Sequence, residues 1–290
     1  MATSGVYTMP ATEYHADPAE SPSLSASIAT LLIQSSPLHA KYAHPRLTEN
    51  PTREEAKHLD TGSICHALIL EGENVAVVID AENYRTKAAQ EARDAARAEG
   101  KYPILKHEMT AVHEMAQACL EQCATHDDRR IREAFYADKG KAEQTLIWQE
   151  DNGVWCRCRP DWMSSNYPLI IDYKTSGRSA RPSNLSRVAA SLGWPITDAF
   201  YRRGFKAVFD VEPDYLFCCQ ETDRPYALSI LEMSPADRAL GDAQVEVAID
   251  TFGRCLKSGI WPGYSNKIER ITSPPYVEIA WMERELEEQL

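Results

Sequence analysis

The stretch Pro160-Asp161-Trp162-Met163-Ser164-Ser165-Asn166-Tyr167-Pro168-Leu169-Ile170-Ile171-Asp172-Tyr173-Lys174-Thr175-Ser176 decides how the rest of the chain is read. Residues 154–162 and 169–175 are rich in β-branched, aromatic and apolar side chains, and Ser164-Ser165-Asn166 with Pro168 supplies turn chemistry between them. The pattern predicts a hairpin with its tip near Asn166. Asp161 and Asp172 lie about equally far from that tip, so they face each other on neighbouring strands, roughly 5 Å apart. Side chains alternate along a strand, which puts Asp172 and Lys174 on one face and Ile171, Tyr173 and Thr175 on the other.

Two carboxylates at that separation can share a hard divalent cation. Mg²⁺ on oxygen ligands keeps several waters, lowers their pKa and neutralises charge building on a phosphate, and a neighbouring lysine can orient or help deprotonate the attacking water. Those are the parts of phosphodiester hydrolysis. A bare Asp-x-Lys also occurs as a solvated ion pair at strand ends, so the reading needs support from the rest of the chain. Residues 142–149, the loop Glu150-Asp151-Asn152-Gly153 and residues 154 onward predict a second hairpin, because Asn-Gly accepts positive φ. A three-residue loop places Glu143 opposite Asp161 as a third candidate acid, and a one-residue change of register would turn it away.

The 290 residues, 26% charged and 43% hydrophobic, fit one large soluble domain with a helical elaboration. No apolar run approaches the ~20 residues that span a bilayer, and residues 1–20 lack the basic and apolar regions of a secretory signal, so the expectation is a cytoplasmic protein with no membrane partner. Eight cysteines lie mostly inside apolar segments; Cys119-x-x-x-Cys123 and Cys156-x-Cys158 find no second pair at zinc spacing, which predicts reduced thiols and no zinc or iron–sulfur site. The net charge of -12 argues against a protein that coats nucleic acid by bulk charge. Local basic clusters remain: Arg178, Arg181 and Arg187 just after the hairpin, then Arg202, Arg203 and Lys206. Each is a candidate phosphate contact and each also reads as a solvated face.

Residues 1–22 are rich in Pro, Ala and Glu and predict a loosely packed segment. Residues 23–135 read as a helical part of the same domain: a helix capped by Ser25, a second with Pro37 in its first turn, an apolar helix over 54–70, a strand over 73–80, and helices over 84–101 and 105–124. His66 is the odd residue on the apolar helix, open to a core or a ligand role, and Gly62 would let that helix approach a backbone or ligand closely. Residues 140–233 read as the core, with a helix over 196–208 that puts Thr197 and Tyr201 on one face and strands over 215–221 and 226–233. A helix from Ser234-Pro235 to about residue 257, an aromatic and proline-rich segment wrapping the core, and an acidic helix over 281–290 complete the chain. The order predicts an α/β domain with a mixed sheet flanked by helices.

Together these stretches resemble a known family. Pro160-Asp161 followed by Asp172-x-Lys174 looks like the PD-(D/E)xK nuclease core. Over about residues 12–280 the chain resembles the RecE-type, exodeoxyribonuclease VIII-like proteins of phages and prophages. The resemblance is carried by Ser23-Leu24-Ser25-Ala26-Ser27, Ser36-Pro37-Leu38-His39-Ala40-Lys41-Tyr42, Gly62-Ser63-Ile64-Cys65-His66-Ala67, Ala199-Phe200-Tyr201-Arg202-Arg203-Gly204, Gln220-Glu221 with Pro225-Tyr226, and Trp261-Pro262-Gly263-Tyr264. It implies that His66, Asp161 and Asp172 ligate Mg²⁺, for which Mn²⁺ could substitute, aided by the Tyr173 main-chain carbonyl. Lys174 would act on the water, and Tyr201 would hold DNA or the site. It further implies degradation of one strand of linear double-stranded DNA, 5′→3′, for recombination, with a single-strand annealing protein as partner and a ring-shaped homo-oligomer. Within the same resemblance stand an endonuclease, a nuclease of other polarity, and a silent DNA- or protein-binding member. Two departures are visible: Thr197 stands where related nucleases often have Gln, and Ser36 where some have an iron–sulfur cysteine.

Overall fold

The computed structural model describes residues 2–48, 61–72 and 76–287. Its central sheet has five strands in the order Leu228–Leu231, Asp214–Glu221, Leu169–Ser176, Trp162–Ser164, Gly140–Ala142. Leu169–Ser176 runs parallel to Asp214–Glu221, and the other neighbours are antiparallel. A parallel pair needs a crossover, which the helices Pro182–Ser191 and Trp194–Phe209 provide. Leu169 to Tyr173 are all buried, with layers on both faces, which explains a near-continuous apolar run where a one-sided strand would alternate.

Each face of the sheet has its own core. Ile170, Tyr215, Phe217 and Cys219 pack with the helices Ala26–Gln34, Trp194–Phe209 and Pro235–Ser258, and the Trp194 ring stacks on Phe217 at 4.5 Å. Ile171, Tyr173, Leu216 and Cys218 pack with the helices Thr61–Glu71 and Lys106–Ala124. The alternation along two strands thus assigns one helical layer to each side, the mixed α/β arrangement expected from the order of elements.

Both hairpins have the expected register. Glu150 N–H donates to the Val154 carbonyl at 2.9 Å and closes a three-residue loop, and Trp162 pairs with Ile171. The strands expected over 142–149 and 154–162 are nevertheless each broken. Thr145–Gln149 and Trp155–Cys158 leave the central sheet and, with Gly5–Tyr7 on the far edge of Thr145–Gln149, form a second, three-stranded sheet. The break falls where Glu143 adopts a left-handed φ of 54°, uncommon for a residue with a side chain, and where Pro160 has no N–H to offer a ladder. Glu143 N–H donates to the Asp161 carbonyl at 3.0 Å across the bend.

Three expectations need correction. Residues 1–22 are not loose where described: Gly5–Tyr7 is a sheet strand, Ala11–His15 is helical, and the buried Asp17 carboxylate accepts from Ser23 N–H at 2.9 Å and Ser23 Oγ at 2.6 Å and meets Arg157 at 3.2 Å. One buried charge pair anchors what the composition suggests is a tail. The C-terminal helix is Pro275–Glu287, beginning before residue 281, and residues 265–274 are exposed and do not wrap the core. Tyr102–Leu105 is a strand, parallel to Ala76–Ile79 across the helix Lys87–Ala98, although its pattern reads as the lead-in to the next helix. Residues 54–60 of the expected apolar helix, 73–75 of the expected strand and 288–290 of the terminal helix lie outside the described residues. Among the described residues no helix is long and apolar enough to cross a membrane.

Candidate active site

The site forms where the strand Leu169–Ser176 outruns its antiparallel neighbour. Pairing with Trp162–Ser164 covers only Ile170 and Ile171, and beyond them the Asp161 side chain takes over: its Oδ2 accepts the Tyr173 amide at 2.8 Å. The same oxygen lies 3.1 Å from His66 Nε2. His66 reaches it because the helix Thr61–Glu71 packs closely on the strand, where a Cβ at Gly62 would lie 2.5 Å from Thr175 Oγ1. Glu143, delivered by the left-handed bend, completes a group in which one ligand atom each of His66, Glu143 and Asp161 lies within 4.8 Å of the others. Glu143 also accepts from Arg159 Nε, while Arg159 Nη1 donates to the Met9 carbonyl at 2.7 Å. Arg159 is therefore a site residue that the sequence reading passed over; a basic residue between a strand and Pro160 was its only signal.

Asp172 and Lys174 share the opposite face of the strand from Tyr173, as the alternation predicts, and Lys174 Nζ donates to Asp172 Oδ1 at 2.7 Å. Asp172 Oδ2 is buried and has no hydrogen-bond partner among the described residues. A buried carboxylate oxygen left without a donor is costly, and a cation held beside Asp161 would satisfy it. The donor set of two or three carboxylates and one imidazole suits a hard divalent ion. His66, Asp161 and Asp172, with Glu143, fit Mg²⁺ on these grounds. The Tyr173 hydroxyl points away from it, donating to Gln220 and lying 3.5 Å from Cys65 Sγ.

The electrostatics divide the two aspartates. Burial pushes the Asp172 carboxyl up to about 6, and the Asp161 charge adds to this against the pull of Lys174. Burial would raise Asp161 as well, but the His66 hydrogen bond and the His66 and Lys174 charges outweigh it and hold Asp161 well below the ordinary range. Burial pulls against the Lys174 ammonium, yet the charges of Asp172 and Asp161 outweigh it and keep Lys174 protonated. Lys174 as an ammonium donates, and can orient water or a phosphate oxygen.

A cavity of about 880 Å³ opens in front of Lys174, with Tyr14, Ser25, Arg157, Thr197 and Tyr201 in its wall. Tyr201 Oη donates to the Arg159 carbonyl at 3.4 Å, and the Thr197 hydroxyl bonds back to the Gly193 carbonyl at the start of its own helix. Tyr215 is a further residue the sequence did not mark. It is buried beside Asp172 with a hydroxyl that has no hydrogen-bond partner among the described residues, and the parallel pairing of two distant strands brings it there.

The basic residues separate into two groups. Arg178 and Arg181 are exposed in the segment leaving the site strand. Arg202 is buried and donates to Asp198, Glu212 and Asp242 at 2.7, 2.9 and 2.8 Å, and Arg203 bonds Glu150 and Glu246. Arg202 and Arg203, expected as DNA contacts, have their donors engaged by these carboxylates, which tie the helix Trp194–Phe209 to its neighbours.

Among proteins with curated descriptions, none matches this sequence. Among solved structures, a protein from Eubacterium rectale described as a "Putative exonuclease" is similar in fold, with a TM-score of 0.56 and 11% identity over 93% of this chain and 96% of that one. A family model, the PDDEXK-like domain of unknown function (DUF3799), matches residues 31–274, which span both the His66 helix and the Asp161, Asp172 and Lys174 strands. The chain belongs to that PDDEXK-like family.

Proposed function

We propose that this protein is a Mg²⁺-dependent exodeoxyribonuclease that degrades one strand of linear double-stranded DNA. The observation that carries the reading is the convergence of His66, Asp161 and an Asp172 Oδ2 without a partner among the described residues, beside Lys174 at the mouth of a large cavity. Bound Mg²⁺ would supply an activated water and neutralise charge on the phosphate. The chain's own groups do the rest. Asp161 and His66 fix each other's geometry, Lys174 holds the water or a non-bridging oxygen, and Tyr201 lines the path of the strand. The N-terminus of the helix Ala26–Gln34 opens on the same cavity, and Ser25 leaves its amides uncapped because its hydroxyl meets Ser27 Oγ at 3.1 Å. Amides so placed suit a phosphate backbone. Exposed Arg178 and Arg181 extend the positive surface. Polarity 5′→3′, a recombination role, a single-strand annealing partner, a ring-shaped oligomer and a cytoplasmic setting follow from the RecE-type resemblance and belong to the same reading.

The test is an end-labelled linear duplex incubated with protein and Mg²⁺, with Mn²⁺ in its place, or with EDTA, alongside Asp172→Ala and Lys174→Ala. Metal-dependent release of mononucleotides, absent in both variants, supports the reading. Failure of the wild-type protein to digest with any divalent ion overturns it, and equal digestion of closed circles replaces it with an endonuclease.

A further inference from the structure

The sequence offers two cysteines one helical turn apart and no second pair at zinc spacing. The fold supplies the missing partner. Cys119 and Cys123 lie on the inner face of the helix Lys106–Ala124, and Cys218 comes from the central strand Asp214–Glu221, 95 residues after Cys123 in the sequence numbering. Their three sulfurs lie within 4.8 Å of one another, and all three residues are fully buried. The sheet separates them from the cavity in front of Lys174, since Cys218 faces the layer of Ile171 and Tyr173 and Lys174 faces the other.

Three inward sulfurs at this spacing are a donor set of different hardness from the carboxylates of the active site. Thiolates select soft d¹⁰ ions, whereas Mg²⁺ prefers oxygen. The surroundings supply an approach. His126 sits just past the helix end, with its amide on the Cys123 carbonyl at 3.1 Å; its Nδ1 accepts the Asp128 amide at 3.0 Å, so a ligand role would fall to Nε2, which lies outside the 4.8 Å group of the three sulfurs. A surface pocket of about 360 Å³ opens over His126, Gln122 and Ile230, and Ile230 is the register partner of Cys218.

We propose that Cys119, Cys123 and Cys218 form a thiolate site for a soft divalent ion of the Zn²⁺ class, with the His126 imidazole available for a fourth position. Binding replaces the thiol protons with the metal and releases them to solvent, with no change of oxidation state. The ion would clip the helix Lys106–Ala124 to the central strand behind Tyr173, whose hydroxyl is held by Gln220, itself bonded to the Met115 carbonyl of that helix at 2.9 Å. This site is independent of the nuclease reading, and its test reads no activity.

The experiment uses the full-length protein, reduced and stripped of metal, carrying Asp161→Asn so that the hard site is weakened. Co²⁺ is titrated in and followed by absorption. The expected result is a thiolate-to-cobalt charge-transfer band with tetrahedral ligand-field bands, saturating at one equivalent and abolished by one equivalent of Zn²⁺. Cys218→Ser loses the band, while Cys255→Ser, which alters a buried cysteine elsewhere, keeps it. Absence of the band in folded protein with all eight cysteines overturns the proposal. So does its persistence in Cys218→Ser. Because the cobalt spectrum is read first without any cysteine change, a misfolded variant cannot decide the outcome alone.

Discussion

Asp161 substitutes for a strand in holding Tyr173: where the ladder with Trp162–Ser164 ends, its Oδ2 accepts the Tyr173 amide at 2.8 Å. The same carboxylate oxygen meets His66, so one side chain ends a sheet and begins a metal site. Its structural and chemical parts are separable. Asp161→Asn keeps an acceptor for the amide and loses the charge, and should retain near-normal stability with nuclease activity and metal affinity lost. Asp161→Ala strands the amide as well and should cost an additional ~1–3 kcal/mol. Urea denaturation beside a digestion assay distinguishes the two, and equal stability of the variants would contradict the assignment.

The two groups of arginines predict opposite phenotypes. Arg202 is buried among three carboxylates, so Arg202→Ala leaves charges unpaired and should destabilise by about 3–5 kcal/mol. Arg181→Ala should leave stability within about 0.5 kcal/mol, weaken duplex binding and lower the slope of log affinity against log salt by about 1. Thermal melts and salt-dependent binding measure both.

A pH dependence sits just behind the cavity, between its lining residues Ala43 and Pro45. His44 is fully buried; its Nδ1 accepts the Arg46 amide at 3.1 Å and its Nε2 donates to the Ser23 carbonyl at 3.0 Å, so the neutral ring has both nitrogens satisfied. Burial lowers its pKa to about 4, against the Ser23 bond and the Asp17 charge. The unfolded chain takes up this proton near pH 6.5 and the folded chain only near 4. Between those values protonation favours unfolding, so stability falls as pH drops from 6.5 to 4, by about 3 kcal/mol in all. His44→Gln should be less stable at neutral pH and should flatten this part of the curve; an unchanged slope would show that the titrating group lies elsewhere.

How much of this was legible follows from the range of each interaction. Asp161, Asp172, Lys174 and Glu143 are related by two hairpins, whose loops are written in Asn152-Gly153 and Ser164-Ser165-Asn166, so local turn chemistry predicts their register. His66 needed the family resemblance, because nothing in an apolar helix says which sheet edge it meets. Tyr215 and Cys218 depend on a parallel pairing across a crossover, for which the sequence has no register signal. Arg202 and Arg203 look basic in sequence, but the carboxylates that neutralise them come from Glu150, Glu212, Asp242 and Glu246 as well as from the same helix. The anchoring of residues 5–19 rests on Asp17 and on edge pairing with Thr145–Gln149, both non-local.

The approach of the His66 helix to the site strand gives the most direct test of how the metal centre is held. Gly62 lies one turn before His66, and a Cβ there would meet Thr175 Oγ1 at 2.5 Å and Thr175 Cβ at 2.9 Å. Gly62→Ala should therefore push the helix off the strand, costing about 1–3 kcal/mol and drawing His66 back from Asp161, with a higher Mg²⁺ requirement for cleavage. Helix propensity alone predicts the reverse, since alanine favours a helix by about 1 kcal/mol over glycine. The double variant Gly62→Ala/Thr175→Ala removes Oγ1 and Cγ2 and leaves only the Thr175 Cβ at 2.9 Å, and should recover part of the stability together with part of the metal dependence of the wild type. Recovery of stability without recovery of metal dependence would mean that His66 does not set the metal affinity; a fully stable single variant would mean that the helix does not pack as closely as the strand geometry requires.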